Sequence, residues 1–552
     1  MKRINIAGAG LAGLSAALTL AKKGIGCNLI SVQPSERAQS VLAEGGMNAA
    51  LDTMGEQDSP TFHYEDTMKG GVYLADPNAV RGLTSAAPEI IRRLHAIGVP
   101  FQMKDGELVL RPFGGQKKRR TAYAMSSTGK VAMTALIDEV RRFEASGLIR
   151  RYPHMEILSP AIEENRCTGL LARDTFTGEC FMFRGPVILC TGGMNGLFSG
   201  MTTGSTANTG DVTAAAFVSG AALGNLEMIQ YHPTTMTIPG KRLLVSEAAR
   251  GEGGRLFVER TDPESGRTEN WYFMEEKYPE LGNLMPRDVV SREMSMVTQD
   301  PSCGSRVYLD MRHLSRETWE GKLADLRKEV IHYLQLDPAA DPLPVSPGIH
   351  FFMGGILVDE QHRTSVADLW AAGECACQYH GANRLGGNSM IAAVYGGHVA
   401  AENAAEMVLR HTDPERTGNE PDEADAVSCG KMSASDEAQQ MLSPAFAGQV
   451  QRFLAEGLPV FRSEENMQKA LQGLEDLWTE ALTEREKRRL LLARAILLSA
   501  LSRRESRGAH TRTDYPERDD KQFRKTTAAR FVNGEIQIGF QEIPKDRQEG
   551  EE

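Results

Sequence analysis

The sequence contains no apolar run that approaches the ~20 residues needed to span a bilayer, so we expect no transmembrane helix. An excess of basic charge is also absent, because 62 lysines and arginines face 73 acidic residues and give a formal net charge of −11. This balance disfavours a nucleic-acid partner, since phosphate backbones are bound by basic surfaces. The start Met1-Lys2-Arg3 leads directly into a predicted strand, which is unlike a cleaved signal peptide. We therefore expect a cytoplasmic location, with a peripheral place on the cytoplasmic face of a membrane left open.

Cysteine is sparse and irregularly spaced. The eight cysteines form no C-x-x-C pair and no ferredoxin-like run, so the sequence predicts no disulfide framework, no iron–sulfur cluster and no other metal site within the chain. Cys375 and Cys377 are interpreted as small buried side chains. The one conspicuous basic run, residues 117–120, is interpreted as a solvated loop.

The strongest local motif lies at the N-terminus. A short run of β-branched residues leads into G-x-G-x-x-G, formed by Gly8, Gly10 and Gly13, which opens a predicted helix. Gly8 permits a sharp turn, Gly10 lets backbone N–H groups approach a pyrophosphate, and Gly13 lets the helix pack on the strand. The pattern predicts a dinucleotide site without distinguishing NAD from FAD. The next predicted strand, residues 27–31, ends in Ser31 rather than in the acid that would bind an NAD ribose, which disfavours NAD.

Beyond this unit, histidine, arginine and glutamate recur beside glycine in five short islands. Each island alone is typical of a capped turn or a surface ion pair. Together they suit a small planar dianion, because guanidinium groups bind carboxylates bidentately and glycines allow close approach. The islands are residues 230–234, 246–254, 286–288, 350–355 and 380–389.

The order of these islands resembles the flavoprotein subunits of fumarate reductase and succinate dehydrogenase, a family that also includes L-aspartate oxidase. The resemblance covers nearly the whole chain. Besides the N-terminal glycines, its motifs are A-E-G-G at 43–46, H-P-T at 232–234, E-x-x-R-G-E-G-G at 247–254, P-R-D at 286–288, H-G-A-N-R-L-G at 380–386 and E-S-R-G-A-H at 505–510.

The resemblance implies an α/β fold, with a doubly wound FAD-binding domain, an inserted α+β capping domain and a C-terminal helical domain. A chain of 552 residues is long enough for two to four domains. The expected boundaries are 1–232 and 346–410 for the two segments of the FAD-binding domain, 233–345 for the cap, 411–440 for an acidic linker, 441–510 for the helical domain and 511–552 for a C-terminal segment with a frayed end.

The resemblance also implies a set of residues that bind FAD: Gly8, Gly10, Gly13, Ser31, Ser40, Glu44, Gly45, Gly46, Asp211, Glu374 and Ser389. Relatives in membrane complexes attach FAD covalently to a histidine five residues before the Glu or Gln of the A-E-G-G segment. Gln39 stands at that position here, so we expect non-covalent FAD and a lower-potential flavin that favours alkene reduction. Glu44 agrees, because fumarate reductases often carry Glu there and succinate dehydrogenases often carry Gln.

Further residues are implied to handle the substrate. Four would bind its two carboxylates: His232, Ser246, His350 and Arg384. Three would form a proton relay that ends at the substrate: Arg250, Glu247 and Arg287. The pKa of an arginine ordinarily lies above 12, so the resemblance implies that neighbouring cations and Glu247 permit brief proton loss. Phe352 replaces a smaller residue near His350 and is expected to influence which acid is accepted.

The expected reaction is FAD-dependent reduction of fumarate to succinate, or the reverse, with hydride transfer from flavin N5 and proton transfer from Arg287. L-Aspartate oxidase and a reductase of a related unsaturated carboxylate are the alternatives, although D-Y-P-E-R-D-D at 514–520 is closer to the reductase branch. With no second redox centre in the chain, the family implies an iron–sulfur partner subunit, and a membrane anchor is left open. The acidic balance disfavours a flavin-containing RNA-binding protein, and the complete residue set disfavours a non-catalytic flavin carrier.

Overall fold

The computed structural model describes residues 3–125, 127–410 and 426–548. Its centre is a five-stranded sheet in which every pairing is parallel. The strands, in spatial order, are Leu369–Ala371, Val187–Leu189, Ile4–Ala7, Cys27–Ile30 and Ile149–Tyr152. Alternation along the first strand sends Ile4 and Ile6 into one hydrophobic core and Ala7 into another, so both faces of the sheet are covered.

The two faces of the parallel sheet carry different layers. One core joins the sheet to four helices, Leu11–Lys22, Pro77–Ala96, Thr128–Ala145 and Asn388–Arg410. The other joins it to an antiparallel sheet of Ala426–Lys431, Glu179–Arg184, Arg166–Asp174 and Met155–Glu163. The site described below lies at the carboxyl ends of the parallel strands, where such sheets bind ligands.

The cap is built on a six-stranded antiparallel sheet with its own hydrophobic core. Its strands, in spatial order, are Lys241–Leu244, Ile229–Ile238, Leu343–Phe352, Cys303–Asp310, Arg255–Thr261 and Thr268–Trp271. Its helices are Glu247–Gly251, Phe273–Lys277, Arg287–Val297, Arg316–Glu320 and Ala324–Leu334. The expected cap boundaries at 232/233 and 345/346 fall inside two of these strands, which pair with each other and run on towards the FAD-binding domain.

The helical domain contains the helices Pro444–Gly457, Glu464–Asp476 and Glu484–Ser502. A hydroxyl side chain caps each N-terminus: Ser443, Ser463 and Thr483, the last in a reciprocal capping box with Glu486. The C-terminal segment forms a hairpin, Lys525–Val532 and Glu535–Glu542, that extends a sheet of Leu223–Gly224, Gly355–Leu357 and Ala376–Cys377. The predicted α/β fold with a cap and a C-terminal helical domain is confirmed.

Short elements complete the described chain. The remaining α-helices are Pro60–Gly70, Asp211–Val218, Ala434–Gln439 and Asp520–Phe523, and the 3-10 turns are Ser35–Arg37, Gln39–Leu42, Asn195–Phe198, Gly282–Leu284 and Gly373–Cys375. The remaining strands are Met47–Asn48, Met103–Lys104, Glu107–Leu108, Leu110–Arg111, Thr121–Ala122, Phe461–Arg462 and Thr511–Arg512. Among the described residues, no helix is both long and apolar enough to cross a membrane.

Three local expectations differ from the structure. Residues 411–425 of the acidic linker lie outside the described residues, but Ala426–Lys431 is an edge strand paired with Glu179–Arg184. In the basic run, Arg120 is 0% exposed because Asp58 and Asp66 neutralise it, so a solvated loop is wrong there. At the expected frayed end, of which residues 549–552 lie outside the described residues, Asp546 accepts hydrogen bonds from Tyr64 and Arg81. In each case the partner is distant in sequence, where local patterns carry no information.

Candidate functional site

A cavity of about 520 Å³ is lined jointly by the FAD-binding domain, the cap and the helical domain. This volume falls within the range typical of small-molecule and cofactor sites. Most of the predicted site residues line it: Gly8, Gly10, Ser31, Ser40, Glu44, Gly45, Gly46, Asp211, His232, Ser246, Glu247, Arg287, His350, Glu374, Arg384 and Ser389. Gly13 and Arg250 are not among the lining residues.

The N-terminal glycines form a tight turn at the wall of the cavity. Gly8 has φ +112°, and a Cβ added to it would lie 2.2 Å from the carbonyl oxygen of Cys190. A Cβ on Gly13 would lie 1.9 Å from the carbonyl oxygen of Gly8, so only glycine lets the helix Leu11–Lys22 pack on the turn. Gly10 is the N-cap of that helix and has no side chain to cap it, and the Leu11 N–H donates to Ser40 Oγ at 3.2 Å. The positive end of the helix therefore faces the cavity, where it suits an anion. The cradle therefore fits the pyrophosphate of FAD.

The segment before A-E-G-G lies along the same cavity. Gln39 occupies the position of the covalently modified histidine, and its side-chain oxygen accepts a hydrogen bond from the backbone N–H of Ser205. Burial, together with the negative charge of the nearby Glu329, raises the pKa of Glu44 to about 8. Burial also raises the pKa of Glu374 to about 7, while its carboxylate accepts from the backbone N–H of Phe352.

Two histidines face each other on the paired strands that cross into the cap. The ring centroids of His232 and His350 are 5.1 Å apart, and Thr203 Oγ1 lies 2.7 Å from His350 Nδ1. Burial lowers both pKa values well below the ordinary value, and the positive charge of Arg287 adds to the effect. The buried His232 Nε2 has no hydrogen-bond partner among the described residues, so it is available to a ligand.

Arg384 supplies a buried cation beside these histidines. Its guanidinium lies 4.5 Å from the ring centroid of Phe351, and its Nε has no hydrogen-bond partner among the described residues. Burial holds the pKa of Arg384 well below its usual range, and repulsion from Arg287 acts in the same direction. An incoming carboxylate would relieve both penalties.

Arg287 is held at the first position of the helix Arg287–Val297 by a carboxylate and an amide. Its Nε and Nη2 donate to Glu247 Oε2 at 2.9 and 2.7 Å, and its Nη1 donates to Gln230 Oε1 at 3.1 Å. Sequence reasoning missed Gln230 as a site residue although it belongs to the H-P-T island. Its position two residues before His232 on one strand face was the available signal.

Glu247 is wedged between two backbone segments. Its Oε1 accepts from the N–H of Gly114 at 2.9 Å, and added Cβ atoms on Gly114 and Gly386 would lie 2.3 and 2.8 Å from the carboxylate oxygens. Burial alone would raise the pKa of Glu247, but Arg287 and Arg250 outweigh it and lower that pKa. The glycines of the F-G-G and L-G-G segments thus make room for an ionised acid.

Arg250 continues the contact chain away from the cavity. Its Nη2 lies 3.8 Å from Glu247 Oε1, and its Nη1 donates to the carbonyl oxygen of Asn283 at 2.5 Å. Burial lowers the pKa of Arg250 to about 10. The three residues predicted as a proton relay therefore stand in the order Arg287, Glu247, Arg250.

Two predicted residues have different surroundings from those expected. Phe352 does not line the cavity, because its ring packs against Phe198 with centroids 5.5 Å apart; Phe351 lines it instead. Both carboxylate oxygens of Asp211 accept pairs of hydrogen bonds from Arg485 and Arg489. These four bonds fill the acceptor sites of a carboxylate, so Asp211 has none left for a ribose hydroxyl in this arrangement.

Several residues at the site were not predicted. Gln230 supports Arg287 without lining the cavity. Polar and charged side chains that do line it are Lys130, Lys241, Arg242, Glu329, Gln440, Arg485 and Arg488. Within the part of the chain that the structure describes, no group of three His, Cys, Asp or Glu side chains is arranged to hold a metal ion.

Comparisons with known proteins match this geometry. A family model described as FAD binding domain covers residues 4–390, and one described as Fumarate reductase flavoprotein C-term covers residues 447–548. The chain is 35% identical to the succinate dehydrogenase flavoprotein subunit of Bacillus subtilis, over 96% of this chain and 94% of that protein. It is 33% identical to the L-aspartate oxidase of Streptomyces coelicolor, over 95% and 91%. A solved Escherichia coli quinol fumarate reductase chain is similar with a TM-score of 0.83 at 28% identity, over 99% of this chain and 97% of that one.

Proposed function

Since the chain belongs to the family of fumarate reductase and succinate dehydrogenase flavoprotein subunits, which also includes L-aspartate oxidase, we propose that it reduces fumarate to succinate. Membership makes it a flavoprotein oxidoreductase with an FAD-binding domain. The choice of fumarate rests on one observation above all. Arg287 enters the cavity tethered to a buried, ionised Glu247, beside two neutral histidines and a second buried arginine.

We propose that His232, Ser246, His350 and Arg384 bind the two carboxylates of fumarate. Arg384 offers a buried guanidinium with an unpaired Nε, and His232 offers an unpaired Nε2. Binding at two ends of a rigid four-carbon acid fixes its double bond in one orientation. Ser246 has a second duty, since its hydroxyl caps the helix Glu247–Gly251 and so positions Glu247.

Bound FAD would supply the hydride. Arg287 would donate a proton to the other alkene carbon, so that one hydride and one proton convert fumarate to succinate. Glu247 accepts two hydrogen bonds from Arg287, which orients the guanidinium and places a conjugate base beside it. Arg250 lies next to Glu247 on the side away from the cavity and would return a proton to Arg287 through Glu247.

We propose that FAD is held without a covalent bond. The carboxamide of Gln39 is not a nucleophile, and its oxygen is already bonded to the backbone of Ser205. We propose that electrons come from an iron–sulfur partner subunit or a soluble donor, in keeping with the absence, among the described residues, of any group of three His, Cys, Asp or Glu side chains arranged to hold a metal ion. We further propose that the protein is cytoplasmic and docks peripherally on a membrane assembly, which would supply its electrons.

Anaerobic oxidation of reduced viologen tests the proposal directly. The purified, FAD-loaded protein is assayed with and without fumarate, and fumarate-dependent oxidation is expected. No turnover with a bound and reducible flavin would contradict it.

Two alternatives are tested on the same preparation. Oxygen consumption with L-aspartate identifies L-aspartate oxidase, to which the chain is 33% identical. Viologen oxidation with other unsaturated dicarboxylates identifies a related reductase. We expect fumarate to give the highest kcat/KM and aspartate to give no oxygen consumption.

A further inference from the structure

Three arginines of the helix Glu484–Ser502 lie close together beside the cavity. Arg485 and Arg488 line it, and Arg489 contacts Asp211, which also lines it. Two of them are neutralised by carboxylates. Arg485 pairs with Asp211 and Glu156, and Arg489 pairs with Asp211. Each therefore has its charge satisfied within the protein.

Arg488, the third, is different. It donates to neutral oxygens only: Nε to the carbonyl of Glu484 at 3.3 Å, Nη1 to the carbonyl of Leu158 at 3.3 Å, and Nη2 to Gln440 Oε1 at 3.0 Å. No carboxylate among the described residues lies within ion-pair distance of it. A guanidinium has five N–H donors, so one remains on each Nη, and the side chain lines the cavity.

The location of Arg488 identifies what it would meet. Its partner Leu158 belongs to the strand Met155–Glu163, and the N–H of Met155 donates to the carbonyl of Ser31 at the end of the second parallel strand. In dinucleotide-binding folds this point faces the adenosine half of the ligand. Leu158 and Ser31 both line the cavity here, so Arg488 stands at the adenosine end.

The acidic side chains at this end, Asp211 and Glu156, are already paired with arginines. The Ser31 hydroxyl donates to the carbonyl of Gln33 at 2.7 Å, which leaves its oxygen as an acceptor. The unpaired hydrogen-bond donors at this end are those of Arg488. Adenosine offers ring nitrogens and ribose oxygens that accept hydrogen bonds, which matches the two remaining N–H groups of Arg488.

We propose that Arg488 donates hydrogen bonds to the adenosine half of FAD, so that the helical domain latches a cofactor that is not covalently attached. The proposal rests on FAD binding and on its non-covalent retention, and it is independent of the substrate. Gln440, which follows the helix Ala434–Gln439, lines the same wall and holds the Arg488 guanidinium in place.

Equilibrium binding of FAD and of FMN to the FAD-free protein tests the proposed contact of Arg488 with the adenosine half. Arg488→Ala should raise the Kd of FAD about 10- to 100-fold, as expected for a hydrogen bond from a charged donor. The Kd of FMN, which lacks the adenosine half, should not change. Arg488→Lys keeps one charged donor and should lie between wild type and alanine.

The control is Arg494→Ala on the same helix, because Arg494 pairs with Glu475 at 3.1 Å and does not line the cavity. It should leave both Kd values unchanged. An unchanged FAD Kd in Arg488→Ala, or an equal weakening of FAD and FMN, overturns the proposal. Arg488→Gln provides the same comparison if the alanine variant does not fold. Absence of fumarate turnover in wild type would overturn the proposed reaction and not the latch, since these measurements contain no substrate.

Discussion

At the scale of single residues, the substrate end of the cavity combines neutral imidazoles with charged guanidinium groups. His232 and His350 are neutral in the free protein because burial and Arg287 disfavour their protonation. A bound dianion would reverse that effect, since an opposite charge nearby favours the protonated ring. Substrate binding is therefore expected to take up protons.

The first prediction follows from this linkage. The Kd of fumarate for the oxidised enzyme, followed by the change in flavin absorbance, should fall as the pH is lowered from 8 to 6. The Kd falls, rather than rises, towards low pH because the histidine pKa is low in the free protein and higher in the complex. Protonation therefore favours the complex. His350→Asn should flatten the profile. An equally steep profile in that variant would contradict the role of His350.

A second prediction concerns Gln230, which accepts from Arg287 Nη1. Gln230→Leu removes this acceptor and frees one side of the guanidinium, so kcat for fumarate should fall about tenfold or more while the Kd of FAD stays the same. Gln230→Glu keeps an acceptor but adds a negative charge near the substrate. It should instead raise KM for fumarate, and a leucine variant with full kcat would count against positioning by Gln230.

The residues found from sequence share one property: each belongs to a motif with its own local pattern. Gly8, His232 and Arg287 stand in such motifs, and all three line the cavity. Arg488 and Gln440 were not found, because their neighbours in sequence resemble any exposed helix and only folding brings them to the wall. Phe352 was misjudged for a related reason, since proximity in sequence to His350 does not decide where its ring packs.

At the scale of elements, the turn between the first strand and the first helix is the tightest contact in the site. Gly13→Ala would place a Cβ 1.9 Å from the Gly8 carbonyl oxygen and push the helix away from the strand. We expect a large increase in the Kd of FAD and a lower thermal midpoint. Gly448→Ala is the control, because Gly448 lies in the helix Pro444–Gly457 with no atom within 4 Å of the added Cβ.

The control should be as stable as wild type or slightly more, by up to ~1 kcal/mol, since alanine favours a helix over glycine. If Gly13→Ala binds FAD with wild-type affinity, the packing argument is wrong.

The sequence predicted this strand, turn and helix well, because the glycine spacing itself encodes the geometry. It could not locate the cap boundaries, because the strands Ile229–Ile238 and Leu343–Phe352 continue through them.

At the scale of the whole molecule, a network of buried ion pairs connects the E-S-R-G-A-H motif to the segment that precedes the His232 strand. Arg503 donates to Glu227 Oε1 at 2.7 Å and to Glu505 Oε1 at 2.9 Å, and Glu505 also accepts from Arg507 at 2.7 Å. All four side chains are buried. Glu227 precedes the strand that carries His232, so the network connects the chain's last third to the site.

Arg503→Met should destabilise the fold by about 3–5 kcal/mol, because it leaves Glu227 buried without its charged partner. The double variant Arg503→Met with Glu227→Gln should recover part of the loss. Arg316→Ala, which breaks an exposed pair with Glu320, should change stability by less than about 1 kcal/mol. Thermal unfolding midpoints measure all three, and equal midpoints for the single and double variants would contradict the account.

The central claim is that Arg287 delivers the proton to fumarate, and a single-turnover measurement on Arg287 variants tests it most directly. The enzyme is reduced anaerobically and mixed with fumarate, and reoxidation of the flavin is followed in a stopped-flow instrument. If Arg287 delivers the proton, Arg287→Gln should slow reoxidation by about 10²–10⁴-fold. Arg327→Gln, which alters a cap residue paired with Asp337 outside the cavity, should react at the wild-type rate. Reoxidation of Arg287→Gln within tenfold of wild type would contradict the proposed mechanism.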